Sequence, residues 1–140
     1  MEWNITAGRP VYLQLIEQLQ LAIVTGALPA GARVPPVREL AAEAGVNPNT
    51  MQKALQELES RGLMQTQRTA GRTVTGDTAL LEALRRQQAE AYAGEFLQKM
   101  QALGLTPQQV QKLLHRMSEQ KGESNVLTVS GQRADQILRR

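Results

Sequence analysis

The segment that decides the fold runs from residue 33 to residue 62 and reads RVPPVRELAAEAGVNPNTMQKALQELESRG. It holds two stretches with apolar residues at helical spacing, separated by the turn Gly45-Val-Asn-Pro-Asn49. Asn47 is suited to cap the second helix and Pro48 to occupy its first position, so this helix is predicted to begin there and to end at Gly62. Two short helices joined by a tight glycine-containing turn are typical of a helix-turn-helix, whose second helix enters the DNA major groove by its N-terminal end.

Both predicted helices are amphipathic. The first, Val37 to Ala44, repeats apolar residues every three or four positions and breaks at Gly45. The second buries one face by the same spacing, and its other face is polar. The apolar positions of the second helix are Met51, Ala54, Leu55 and Leu58, and the polar ones are Asn49, Gln52, Lys53 and Gln56. Helix pairs occur in any small helical protein, so spacing alone does not establish DNA binding.

Several spaced motifs narrow the interpretation. The segments are Gly31-Ala-Arg-Val-Pro-Pro-Val-Arg-Glu-Leu40, Gly45-Val-Asn-Pro-Asn-Thr50 and Glu57-Leu-Glu-Ser-Arg-Gly-Leu63. Together they closely resemble the GntR family of bacterial transcription regulators, and the resemblance extends from Pro10 to about Val74. It implies a winged helix-turn-helix that binds DNA as a dimer at an inverted repeat.

The resemblance also implies which residues meet DNA. Arg38 matches an operator-contacting arginine and Arg33 a basic position beside it; both can grip phosphate through the guanidinium fork. The recognition-helix positions are Asn47, Pro48, Asn49, Thr50, Gln52 and Lys53, and the wing positions are Arg68, Gly71 and Arg72. Asn and Gln can bond adenine through N6 and N7. The alternatives are that the arginines pair with Glu39 or Glu43, and that Asn47 serves as a helix cap.

The chain departs from the family pattern at two places. Pro36 stands where a serine is usual, so no hydroxyl caps the first helix, at a cost of about 1 kcal/mol. In the wing, Thr69 and Ala70 stand where the family often has glycine and a basic residue, so we expect the wing to contribute less to DNA binding.

Around the helix pair we predict a helix from Pro10 to Gly26 that completes a three-helix core. We also predict a hairpin formed by residues 63–67 and 72–75 and joined across Arg68–Gly71. This gives a DNA-binding domain of residues 1–76.

The second half is predicted to be helical from Ala79 to Leu103, a length of roughly 38 Å that a small domain does not cover. The sequence Thr106-Pro-Gln-Gln109 supplies a capping box for a further helix that stops near Gly122. Such a two-helix appendage, residues 77–122, resembles the YtrA-type branch of the GntR family, where it serves dimerisation. The residues assigned to the dimer interface are Leu81, Leu84, Tyr92, Phe96, Met100, Leu113 and Met117. We assign no structure to the tail, residues 123–140.

Composition sets further bounds. The 140 residues contain no cysteine, which excludes disulfides and thiolate chemistry and fits a reducing cytoplasm. The net charge of +3 permits nucleic acid as a partner, but up to Gly76 seven Lys or Arg stand against six Asp or Glu. No apolar run has the length of a membrane span. The lone His115 lacks catalytic neighbours, so we predict no enzyme, metal or cofactor.

Two hypotheses remain. The first is a homodimeric, sequence-specific transcription regulator that acts as a repressor on double-stranded DNA in the cytoplasm. The second is a winged-helix module for protein assembly, since that fold also binds proteins. A small-molecule effector is compatible with the first, although no residue pattern indicates one.

Overall fold

The computed structural model describes residues 1–124, which form five helices and one two-stranded hairpin. The helices are α1 (Val11–Thr25), α2 (Val37–Ala44), α3 (Pro48–Ser60), α4 (Thr78–Ala102) and α5 (Pro107–Ser124). The strands β1 (Met64–Gln67) and β2 (Gly71–Val74) lie between α3 and α4 in the chain. The predicted fold class, mainly helical with a small hairpin, is confirmed. Apart from its first two residues, which end α5, the tail lies outside the described residues.

The ends of α2 and α3 are set by local chemistry. α2 follows Pro36 without a side-chain cap, as the missing serine predicts, and ends at Gly45, whose φ is 70°. α3 follows Asn47, whose Oδ1 accepts a hydrogen bond from the Asn49 N–H at 2.7 Å. Only glycine adopts the left-handed conformation of position 45 without a steric penalty. These signals act within a few residues, which explains why the sequence located both helices.

The hydrophobic core of the first half lies between α1, α2, α3 and the hairpin. The predicted apolar face of α3 is completely buried, with no exposed surface on any of its four residues: Met51, Ala54, Leu55 and Leu58. α1 contributes Leu15, Leu19 and Ile23 to the same cluster, and α2 contributes Leu40 and Ala41. The predicted three-helix core is therefore present.

A buried glutamine ties the segment before α1 to this core. Gln14 is only 2% exposed. Its Oε1 accepts from the Thr6 N–H at 2.8 Å, and its Nε2 donates to the carbonyls of Thr6 at 2.8 Å and Arg9 at 2.9 Å. One turn later, Gln18 exchanges two similar hydrogen bonds with the backbone of Asn4. Burial of an amide is tolerated here because its donors and acceptor are all engaged.

The hairpin is antiparallel, with Thr66 opposite Arg72 and Gln67 opposite Gly71. β2 is bonded on its other edge as well. The Val34 N–H donates to the Arg72 carbonyl at 2.8 Å, and the Val74 N–H donates to the Ala32 carbonyl at 2.8 Å. The segment that precedes α2 thus runs beside β2.

The described chain divides into two compact units, of which the first ends at Ala89 and the second begins at Glu90. The division falls within α4. Asp77 caps that helix, since its Oδ1 accepts from the Leu80 N–H at 3.0 Å. α5 begins with the predicted capping box: the Thr106 N–H donates to Gln109 Oε1 at 2.8 Å, and the Gln109 N–H donates to Thr106 Oγ1 at 3.2 Å.

The structure corrects part of the interface assignment. Leu81 is only 9% exposed and belongs to the core of the first unit, and Leu84 packs against that core. The first turns of α4 therefore complete the first unit, which extends past residue 76 to Ala89. Leu81 is already covered within one chain and is not available to a second copy. α5 also continues past Gly122 to Ser124, because a helix tolerates an interior glycine at a cost of about 1 kcal/mol.

No helix within residues 1–124 combines the length and the apolar character needed to cross a membrane.

Gln14 and Gln18 of α1 provide a matched test of the buried hydrogen bonds. Replacing Gln14 with alanine removes a buried side chain and its hydrogen bonds to the backbone of Thr6 and Arg9, so we expect the free energy of unfolding to fall by about 1–3 kcal/mol. Gln18→Ala breaks the same kind of bonds where water can replace them, so its effect should be smaller. Urea unfolding of the full chain measures both. Equal losses would show that burial of Gln14 is energetically unimportant.

Candidate nucleic-acid interface

The first 76 residues carry nearly balanced charge, but only some of their seven cations form ion pairs with carboxylates. Three of the seven are paired with carboxylates. Arg9 lies 2.6 Å from Glu17, Arg61 lies 2.9 Å from Glu57, and Arg72 lies 3.3 Å from Glu59, each measured from nitrogen to oxygen. These pairs involve three of the six acidic residues, and within each pair the positive and negative charges largely cancel.

The other four cations of this segment are exposed, and no ion pair formed within residues 1–124 includes them. They are Arg33, Arg38, Lys53 and Arg68. All four belong to the predicted DNA-contacting set, and the predicted alternative, pairing of Arg38 with Glu39 or Glu43, does not occur. The four cations are therefore distinguished by their positions and their lack of an ion pair, which net charge does not show.

The beginning of α3 is open to solvent. Asn47, Pro48, Asn49 and Lys53 are exposed, while Thr50 and Gln52 are half-buried. The first turn contains no acidic residue, so the partial positive charge of the helix N-terminus is not cancelled. Asn47 uses its Oδ1 as the helix cap and keeps its Nδ2 donors for another partner. The predicted cap role of Asn47 is thus confirmed.

Arg38 lies in the first turn of α2, beside helical N–H groups that no side chain caps. A cation at a helix N-terminus opposes the helix dipole and costs a few tenths of a kcal/mol. The arrangement does not stabilise the helix. It does place a guanidinium and several backbone donors together, which suits the binding of an anion such as phosphate.

The structure brings the tip of the wing close to Arg33. Arg68 lies in the turn between the strands, and Gly71 closes that turn with a φ of 72°. A Cβ on Gly71 would stand 4.0 Å from Arg33 Nε, so the Arg33 side chain runs along the hairpin. Arg33 is also bridged to Thr73 of β2. Two of the four exposed cations therefore lie on backbone segments that are bonded to each other: Arg33 beside β2 and Arg68 in the hairpin turn.

Arg72 differs from the other predicted contacts. Its side chain is only 16% exposed, and its Nη2 faces Glu59 Oε1 at the end of α3. The second oxygen of Glu59 accepts a hydrogen bond from the Thr66 hydroxyl. The Arg72 Nε is buried and has no hydrogen-bond partner among the described residues. Arg72 is thus part of a cluster that joins α3 to both strands of the wing.

Sequence reasoning missed Glu59 and Thr66. The predicted loop, Arg68–Gly71, was one residue too long, because β2 begins at Gly71 and Gly71 pairs with Gln67. In the observed register Thr66, not Gln67, lies opposite Arg72. The signal that could have located it is the glycine itself, since a residue with positive φ is common where the chain leaves a hairpin turn and returns to the strand.

The environment of Glu59 favours its charged form. The hydrogen bond from Thr66 is the largest cause that lowers the pKa of Glu59, partial burial opposes it, and Arg72 lowers it further. Glu59 therefore stays a carboxylate at neutral pH and continues to neutralise Arg72.

Comparison with known proteins agrees with this geometry. The pattern of the family described as bacterial regulatory proteins, gntR family, matches residues 11–74. The chain is 30% identical over 110 residues to the uncharacterized HTH-type transcriptional regulator YhcF of Bacillus subtilis, covering 79% of this chain and 91% of YhcF. It is 34% identical over 105 residues to the HTH-type transcriptional repressor YtrA of the same organism, covering 67% of this chain and 81% of YtrA.

A solved structure shows the same fold. A GntR family transcriptional regulator from Listeria monocytogenes superposes with a TM-score of 0.73 at 32% identity, covering 79% of this chain and 97% of that one. The match thus includes residues beyond the helix-turn-helix, and the relatives are of similar length. The chain belongs to the GntR family of bacterial helix-turn-helix transcription regulators.

Proposed function

We propose that the chain is a sequence-specific DNA-binding repressor that acts in the cytoplasm as a homodimer on an inverted-repeat operator and has no enzymatic activity. The observation that carries this proposal is the division of charge: the cations without carboxylate partners are those beside the open end of α3, at the start of α2 and along the wing. A protein-assembly role gives no physical reason for these four exposed cations to lack carboxylate partners.

Base reading is assigned to the first turns of α3. Asn49 is exposed and its backbone N–H is already used in the cap, so its side-chain amide is free to face a base edge. Gln52, one turn further, projects a second amide from a half-buried position. Such amides bond the N6 and N7 atoms of adenine in a bidentate manner.

Phosphate binding is assigned to the exposed cations. Arg33 and Arg38 flank the segment that leads into α2, and Arg68 occupies the wing tip. Contacts of this kind set the register of a protein on DNA and make its affinity depend steeply on salt.

The second unit supports a homodimer. Within it Tyr92 is 56% exposed, Leu97 51%, Leu103 73% and Met117 46%, while Phe96, Met100 and Leu113 are half-buried. This is more apolar surface than two helices of a soluble protein usually leave open. A second copy covers such a surface without requiring any other partner. It also brings two recognition helices together, which multiplies the effective concentration at a two-part operator.

Repression is proposed because the relative YtrA is named a transcriptional repressor. A dimer seated across a promoter would exclude polymerase by occupancy alone and would not need an activating surface.

Footprinting of the wild-type chain on bound genomic fragments tests the proposal. We expect two protected half-sites in inverted orientation, and reduced transcription from a promoter that contains them. A scrambled duplex should bind far more weakly at moderate salt. Equal affinity for the scrambled duplex would favour the protein-assembly alternative.

Replacing Arg38 with alanine tests the phosphate assignment. Because each chain would then bind one phosphate fewer, the slope of log K against log salt should fall by about 1.8 for the dimer. Thermal stability should stay the same or rise slightly, because Arg38 opposes the dipole of α2. Arg116→Ala, which removes the same charge from exposed α5, is the control and should leave the slope unchanged. A stability loss with unchanged affinity would refute the assignment.

Replacing Phe96 with glutamate tests the dimer. An unpaired charge in an apolar interface costs more than burial of the phenyl ring contributes, so the variant should sediment as a monomer and bind DNA more weakly although α3 is untouched. Gln98→Glu adds the same charge at an exposed polar position and should remain dimeric. A wild-type chain that is monomeric at micromolar concentration would remove the basis of this proposal.

A further inference from the structure

Arg72 stands apart from the paired arginines elsewhere in the chain. The exposed fraction of its side chain is 16%, against 52% for Arg9, 44% for Arg61 and 59% for Arg85. Its partner Glu59 is 25% exposed. An exposed ion pair exchanges readily with water, whereas a partly buried one loses much more when one partner leaves, because the other charge stays behind with few solvent contacts.

Glu59 engages both strands of the wing at once. One carboxylate oxygen accepts from Arg72 on β2, and the other accepts from Thr66 on β1. Thr66 and Arg72 are directly opposite each other across the hairpin. The last turn of α3 is thus fastened to the middle of the wing through a single side chain.

The position of β2 determines that of Arg33. Backbone hydrogen bonds on either side of Arg33, from Val34 to Arg72 and from Val74 to Ala32, hold this segment along β2. Arg68 lies in the turn after β1, so its position depends on the same hairpin. A change in the angle between α3 and the wing would therefore move both exposed cations relative to the recognition helix.

We propose that Glu59 and Arg72 form a clamp in which Arg72 is a positioning residue of the wing: it sets where Arg68 and Arg33 meet DNA and does not itself contact phosphate. This inference rests on the proposed DNA-binding function. It adds that residues which do not touch DNA affect the affinity by positioning those that do.

A phosphate-contacting Arg72 predicts the opposite response to loss of Glu59. If Arg72 bound phosphate, Glu59→Gln would free its guanidinium from the ion pair and remove a nearby anion, and both changes would strengthen DNA binding. If Arg72 positions the wing, Glu59→Gln loosens the clamp and weakens binding despite the more positive charge. The sign of the effect separates the two roles.

The experiment measures the affinity of the wild type, Glu59→Gln, Arg72→Gln and the double variant for the duplex found by footprinting, over a series of salt concentrations. We expect each single variant to weaken binding by about tenfold and the double variant to be no weaker than the singles, because both break the same network. The salt slope should stay that of the wild type. Thr66→Val, which removes a clamp bond without changing charge, should weaken binding as well.

Glu57→Gln is the matched control, since it removes the same charge from the same helix but frees Arg61, which is not on the wing. It should not weaken binding. Thermal melting of each variant verifies that it is folded. Tighter binding by Glu59→Gln, or a slope lowered by about 1.8 in Arg72→Gln, would overturn the clamp while leaving the DNA-binding proposal intact. A wild type that does not prefer the footprinted duplex over a scrambled one would overturn both.

Discussion

The complete burial of one face of α3 is the constraint on which the arrangement of the first unit depends. Four apolar side chains on that face have no exposed surface, so the rotation of α3 about its axis is determined by the core. The amides and Lys53 must then lie on the sides that remain open, because helical residues separated by half a turn point in opposite directions. The burial of one face of α3 thereby decides which of its residues remain open to solvent.

The charges follow a related logic. Carboxylates within the first unit neutralise Arg9, Arg61 and Arg72 and leave the other cations of residues 1–76 without an ion pair among the described residues. In a small domain with nearly balanced charge, pairing thus decides which cations remain without a carboxylate partner. In the proposed clamp, the guanidinium of Arg72 holds the wing in place and is not itself a DNA contact.

Local signals made much of the fold predictable. The cap at Asn47, the glycine after Ala44 and the capping box at Thr106 each act over a few residues, and each was found where the sequence indicated. Features that depend on distant partners were missed. Nothing near Gln14 in the sequence shows that it is buried under the N-terminal segment, and periodicity on α4 could not distinguish Leu81, which lies in the core, from residues left exposed. A loop error of one residue was enough to hide the pairing of Thr66 with Arg72.

Base reading by α3, in the orientation imposed by its buried face, depends on the amides of its first turns. The most direct measurement is selection of duplexes from random-sequence DNA by the wild type and by Asn49→Ala, followed by sequencing. We predict an enriched inverted repeat for the wild type, and for the variant a relaxed preference at one base position in each half-site with the remaining positions unchanged. The same enriched sequence for both proteins, or no enriched sequence for the wild type, would contradict base reading by these amides.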